Sequence, residues 1–149
     1  MPSKVSLSQY VKKRTGVPLG ASRSMRNMLA RSLGAKSFPV FWHYWNPVWG
    51  YCLSRYVMKP LRTFLPISAT VFITFLVSGA LHDLAVSLLK WKMVVFFTPW
   101  FGLMGCIVII SGKTGITYGL LAWPIRASIN LLLVFSSLGL MYIVEGAYA

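Results

Sequence analysis

The chain has 149 residues, with 15 Lys+Arg against 2 Asp+Glu and a formal net charge of +13. Hydrophobic residues make up 56% and aromatics 15%, while charged residues make up only 11%, against about 25% in an ordinary soluble domain. That balance excludes a disordered basic tail, which would be poor in aromatics, and an ordinary cytosolic enzyme, whose surface needs more charge.

The first segment, residues 1–37, is a basic arm without an acid. Eleven of the 15 cations fall before residue 63, at Lys4, Lys12, Lys13, Arg14, Arg23, Arg26, Arg31, Lys36, Arg55, Lys59 and Arg62. No apolar run follows the early lysines, so a secretory signal is excluded; the composition also suits an organellar transit peptide. In residues 22–33, Met25, Met28, Leu29 and Leu33 share helical spacing, with Arg23, Arg26 and Arg31 on other faces. A surface helix on anionic lipid and a mobile solvated arm both fit that pattern. Because charge is concentrated ahead of an apolar remainder, it reads as orientation and lipid contact, not nucleic-acid binding.

Residues 38–62 carry Trp42, Trp45, Trp49, Tyr44, Tyr51 and Tyr56, with His43, Asn46 and three cations. Aromatics of this kind collect where one end of the ring is wet and the other apolar. Pro47 suits a first helical turn, and Pro60 limits the helix, so an amphipathic interfacial helix is expected over 47–58. Asn46, just before it, is placed to cap it.

Three long apolar stretches follow, 66–89, 93–111 and 127–148, each close to the 20 or so residues that cross a bilayer core. Lys90, Lys92, Lys113 and Arg126 punctuate them. The expected fold class is all-α: an integral, multi-pass membrane protein with about three transmembrane helices, an interfacial helix and a basic N-terminal arm. The positive-inside rule places the arm in the cytoplasm and leaves Lys90 and Lys92 outside, a mild conflict. Residues 115–124 are apolar but too short to span, and read as a re-entrant or interfacial piece broken at Gly119 and Pro124. Ser111-Gly112-Lys113-Thr114 imitates the end of a phosphate loop, but Ile107 stands where the first glycine belongs. Cys52 and Cys106 form no metal or disulfide pattern and are read as packing residues.

The chain has two histidines and two acids. His82 and Asp83 lie side by side within the first apolar stretch, where ionisable residues are costly and mark function by default. Thr70, Thr74 and Ser78 precede His82 at four-residue spacing and form a polar stripe that must face protein or water. Gly79 allows another helix or a substrate to approach. The competing reading pairs Asp83 with Lys90 or Lys92 and leaves His82 snorkelling at the boundary. His43 reads as an interface anchor, and Glu145 as a boundary residue.

Three segments in order, Phe41-Trp42-His43-Tyr44-Trp45-Asn46-Pro47-Val48, Tyr56-Val57-Met58-Lys59-Pro60 and Phe75-Leu76-Val77-Ser78-Gly79-Ala80-Leu81-His82-Asp83, resemble the membrane-bound O-acyltransferase superfamily, in the branch of sterol and diacylglycerol acyltransferases and wax synthases. The resemblance covers about a third of the chain. It implies that residues 38–149 correspond to the C-terminal catalytic part of those proteins. His82 then matches the catalytic histidine and Asn46 its partner asparagine, with Asp83, Ser78 and Trp45 in support. It further implies transfer of an acyl group from acyl-CoA or another thioester to a lipid or alcohol hydroxyl, with acyl-CoA as co-substrate and no resident cofactor. Arg55, Lys59 and Arg62 could meet donor phosphates or lipid phosphates.

Family members are several times longer. The short chain therefore implies self-association, a larger membrane partner, or lost chemistry. A noncatalytic membrane subunit or lipid-binding protein, and a small pore lined by the 70–82 stripe, remain as alternatives.

Overall fold

The computed structural model describes residues 4–148. All regular structure among them is helical. The arm forms α1 (Leu7–Thr15) and α2 (Ser24–Leu33). The aromatic segment forms α3 (Phe38–Tyr44) and α4 (Pro47–Leu53), continued by a π-helical stretch (Ser54–Met58) and the short α5 (Lys59–Leu61). The apolar stretches form α6 (Ile67–Lys90), α7 (Phe97–Thr114) and α8 (Trp123–Tyr148), each long and apolar enough to cross a membrane.

The side chains on the outer faces of these three helices support a lipid surround. Leu88, Leu132 and Ile143 are 63%, 68% and 71% exposed, which water would penalise and acyl chains would not. The polar stripe of α6 turns inward instead. Thr70, Thr74 and Ser78 are all buried, so the stripe on α6 faces protein. The Thr70 and Thr74 hydroxyls donate back to the carbonyls of Pro66 (3.1 Å) and Thr70 (2.7 Å), which pairs both hydroxyl donors within the helix.

α6 and α7 form an antiparallel pair at very close range. A Cβ placed on Gly79 would lie 2.6 Å from the Phe97 carbonyl oxygen and 2.7 Å from the Thr98 Cα. Gly102 and Gly105 on α7 meet the side chains of Leu76 and Phe75 in the same way, at 3.0 Å each. Gly79 therefore serves the approach of another helix. Gly79→Ala is expected to destabilise by about 1–3 kcal/mol, since the obstacle is backbone and cannot swing aside. Gly139→Ala on α8, where a Cβ meets nothing within 4 Å, is expected to be neutral or to stabilise by up to about 1 kcal/mol. Thermal unfolding of the two variants in the same detergent compares them.

The helix boundaries differ from the sequence reading in an instructive way. α7 starts later than residue 93 because residues 93–96 form a link whose end is fixed by Asp83, described below. α8 starts before residue 127, with Pro124 in its first turn, where a missing N–H costs nothing. Pro124 thus opens a helix. The remainder of the 115–124 segment is a non-helical link docked on Lys36, whose carbonyl accepts from Tyr118 N (2.9 Å) and Thr117 Oγ1 (3.1 Å). Pro60 does not end the helix before it. The chain stays helical to Leu61, and the widened π turn just ahead relieves the clash between a proline ring and the preceding turn.

The arm is folded onto the membrane helices. α1 begins with a reciprocal cap between Ser6 and Gln9, and the two arm helices are joined by Asn27 Nδ2 donating to the Thr15 carbonyl (2.9 Å). α2 is then tied to α8. Trp123 Nε1 donates to the Ala30 carbonyl (3.0 Å), and Asn130 Nδ2 donates to the carbonyls of Leu33 (2.8 Å) and Ala35 (3.1 Å). Asn130 is fully buried, and its Oδ1 accepts from the Tyr118 hydroxyl. Burial pushes the Tyr118 phenol up to about 12, so it stays a donor at any physiological pH.

The aromatic segment does not stop at the ends of the spans. Phe38 and Phe41 are buried with Met104, at mid-length of α7. Trp42 packs edge-on against Phe75 at 5.4 Å and lies 6.2 Å from Phe101. An aromatic that has a protein wall to cover buries more area there than at a lipid boundary. This wedge, α3 and α4 against the middle of α6 and α7, encloses the site.

Candidate functional site

His82 lies in the second half of α6. Its Nδ1 is 2.6 Å from the carbonyl oxygen of Ser78, one turn earlier. A carbonyl can only accept, so Nδ1 carries a proton, and in the neutral ring Nε2 holds the free lone pair. The ring stacks on Phe101 at 4.9 Å, lies 5.6 Å from Phe97, and meets the edge of Trp49 at 6.0 Å. Those three rings fix the imidazole between α7 and α4. His82 is therefore held by protein on three sides, and the snorkelling alternative does not describe it.

Ser78 is the joint of the arrangement. Its carbonyl takes the His82 proton, and its hydroxyl accepts from Trp49 Nε1 at 2.9 Å. One residue thus sets both the imidazole tautomer and the position of α4. In the sequence, Trp49 is one of several tryptophans in the aromatic segment. Nothing in its local pattern separates it from the other tryptophans, and only the pairing with Ser78 across 29 positions distinguishes it.

Asp83 does not meet the His82 ring, Lys90 or Lys92. It is buried, and both carboxylate oxygens are engaged at the start of α7. Oδ1 accepts from the backbone N–H of Phe96 (2.9 Å) and Phe97 (2.8 Å), and Oδ2 from the N–H (2.8 Å) and hydroxyl (2.6 Å) of Thr98. The first N–H groups of a helix have no partner within it, and their summed dipole favours a negative charge. Asp83 supplies both from the neighbouring helix. It supports the site by holding α7, with Phe97 and Phe101, against His82.

Asn46 caps α4 as its position suggested: Trp49 N donates to Asn46 Oδ1 at 3.2 Å. Its backbone is left-handed, with φ 44°, a conformation asparagine tolerates better than most residues. Because Oδ1 serves the cap, the Nδ2 hydrogens are the side chain's free donors. Trp45 stacks on Phe41 at 5.5 Å.

These residues share one cavity of about 660 Å³, with a lining that is mostly aromatic and aliphatic. Asn46 and Trp45 line it, as do Trp49, Ser78 and His82, and Trp42, Phe97, Phe101 and Met104 form much of its wall. The structure thus brings together His82, Asn46, Ser78 and Trp45 across α3, α4, α6 and α7. Arg55, Lys59 and Arg62 lie outside the cavity on an exposed face; Arg55 donates to the Tyr51 hydroxyl and sits over the Tyr51 and Tyr56 rings. The cation that lines the cavity is Arg14, from the arm, together with Tyr10 and His43. His43 is held below its ordinary range by burial and by the charges of Arg14 and Lys13. Tyr10 stands four residues before Arg14 on α1, and that helical pairing is the one sequence signal that could have drawn attention to Arg14.

The fold and the histidine packed among aromatic rings define an all-helical membrane protein with a polar site opening on an apolar cavity. No family model, no curated protein and no solved structure matches the chain.

Proposed function

We propose that this chain is a small membrane-bound O-acyltransferase-like protein that moves an acyl group from acyl-CoA, or another thioester, to a lipid or alcohol hydroxyl. The observation that carries the reading is the placement of His82 and Asn46 on one apolar cavity, with the His82 proton committed to Ser78. The free Nε2 can take the proton of an acceptor hydroxyl as its oxygen attacks the thioester carbon. The resulting oxyanion needs a donor, which the Asn46 Nδ2 supplies without adding a buried charge. When the carbon–sulfur bond breaks, the imidazolium returns the proton to the leaving thiolate. Trp45 keeps Asn46 against the aromatic wall, while Ser78 and Asp83 hold His82 and α7.

The same reading places the arm on the cytoplasmic face, where acyl-CoA is supplied. It is supported by the end of the bundle to which the arm is tied, which also carries Lys113 and Arg126, as the positive-inside rule favours. Membrane lipids supply the acceptor, and a second copy or a larger membrane protein completes the enclosure around a long acyl chain. A noncatalytic lipid-binding role is the second reading. It is favoured by the engagement of Asn46 as a helix cap, a structural duty that needs no chemistry.

Proteoliposomes given labelled acyl-CoA with a sterol, a diacylglycerol or a fatty alcohol separate the two: ester forms with at least one acceptor if the proposal holds. No ester with any of the three supports the lipid-binding reading. Asn46→Asp sharpens the test, because the carboxylate keeps an oxygen for the cap and suits the start of α4 but removes the amide donor. Its expected result is an unfolding midpoint near that of the wild type, with kcat reduced about 10²- to 10³-fold.

A further inference from the structure

Two buried side-chain donors that line the cavity have no hydrogen-bond partner among the described residues: Arg14 Nε and Trp42 Nε1. A buried donor left unpaired costs roughly 1–3 kcal/mol, so each marks a place where an acceptor is missing. Arg14 is also unopposed in charge. Its guanidinium rests 4.6 Å from the Tyr10 ring centroid and donates to the Tyr10 hydroxyl at 3.2 Å. The chain's two acids are Asp83, fully engaged at α7, and Glu145, near the far end of α8.

The two donors differ in depth. The Arg14 carbonyl accepts from Arg31 at 2.8 Å, next to Ala30, whose own carbonyl holds Trp123 at the start of α8. Arg14 is thereby tied to the end of the bundle. Trp42 lies deeper, against Phe75 and Phe101, with the latter stacked on His82. A cation at one end, a neutral donor further in and an aromatic wall between them match an amphiphile. Its head would carry negative oxygens and its tail a carbonyl near the junction.

We propose that the cavity binds a phosphate-headed acyl amphiphile, with the phosphate on Arg14 and an ester or thioester carbonyl reaching toward Trp42. Arginine suits a phosphate through its fork of donors, and Arg14 Nε is the free tine of that fork. Two sources share this chemistry, a phosphatidic-acid-like lipid and the thioester donor itself. The donor arm rests on the acyl-transfer reading, whereas binding needs no turnover. Binding that survives in a His82→Ala variant without ester formation therefore separates the two claims.

Tryptophan emission provides the readout, because Trp42, Trp45, Trp49 and Trp100 line the cavity. The full chain in neutral detergent is titrated with phosphatidic acid bearing brominated tails, and in parallel with diacylglycerol bearing the same tails. Phosphatidic acid is expected to quench at concentrations about tenfold lower or less, the worth of one charged hydrogen bond. Arg14→Gln is expected to remove that preference, and Arg26→Gln, on the exposed part of α2, to keep it.

Bound phosphate should also raise the His43 titration, since it offsets the charge of Arg14; histidine ring resonances of the wild type report this even where Arg14→Gln does not fold. Displacement of the probe by palmitoyl-CoA assigns the site to the donor, and resistance to it assigns the site to a membrane lipid. Equal quenching by the two probes, a preference undiminished in folded Arg14→Gln, or a His43 titration indifferent to phosphate would each overturn the proposal.

Discussion

Asp83→Ala is expected to destabilise the protein by about 2–4 kcal/mol and to loosen the site without touching the reacting groups. The carboxylate serves three backbone N–H groups and one hydroxyl at the start of α7. In a soluble protein, water would replace a lost cap. Here the orphaned donors lie beside the rings of Phe96 and Phe97, which hinder that replacement. Asp83→Asn recovers only part of the loss. Its single oxygen can serve Phe96 and Phe97, but its amide hydrogens then face the Thr98 N–H. Thermal unfolding in detergent gives the order expected, wild type above Asn and Asn above Ala. Amide exchange should accelerate first at residues 96–98. An Asp83→Ala protein as stable as the wild type would show that α7 starts where it does for another reason.

On the acyl-transfer proposal, His82→Ala is expected to cut transfer by about 10²- to 10⁴-fold, the usual worth of one positioned general base, while leaving the fold in place. The ring makes one hydrogen bond, to a carbonyl within its own helix. That carbonyl already belongs to the helical ladder, so its removal orphans no buried donor. The expected cost in stability is the lost packing against Phe97, Phe101 and Trp49, about 1–3 kcal/mol. His82→Gln should be as inactive as Ala, because an amide cannot take a proton from an attacking hydroxyl. Ser78→Ala provides the contrast. It keeps the backbone carbonyl that sets the His82 tautomer and loses the hydroxyl that seats Trp49. It should therefore weaken the α4 contact by about 1 kcal/mol and retain most of the transfer rate. Equal loss in Ser78→Ala and His82→Ala would argue that the wedge geometry, not the imidazole, limits the reaction.

The three spans were legible in the sequence because a membrane helix must satisfy its backbone internally and cover itself with apolar side chains, and both demands leave long local signals. The Thr70-Thr74-Ser78 stripe was legible for the same reason: four-residue spacing puts the hydroxyls on one face, and that face had to meet protein. Asn46 as a cap followed from its place before Pro47. Long-range pairing was not legible. Asp83 reaches across to Phe96–Thr98, Trp49 to Ser78, and Asn130 to Leu33 and Ala35, and no local pattern records those partners. Asn130 offered a hint, as the lone side-chain amide in the third apolar stretch. The depth of the aromatic segment was hidden because tryptophans that anchor at a boundary and tryptophans that wedge between helices have the same composition. Beyond its spacing from Tyr10, nothing local marks Arg14 among the arm's cations; what sets it apart is the cavity it lines.

The claim that His82 performs acyl transfer is tested most directly by following both products at once. Wild-type and His82→Ala proteins, reconstituted at equal amounts with labelled palmitoyl-CoA and a hydroxyl-bearing lipid extract, are assayed for free coenzyme A thiol and for labelled ester. The wild type should yield the two in equal amounts and His82→Ala should yield neither above background. Equimolar thiol and ester from a folded His82→Ala protein would contradict the account.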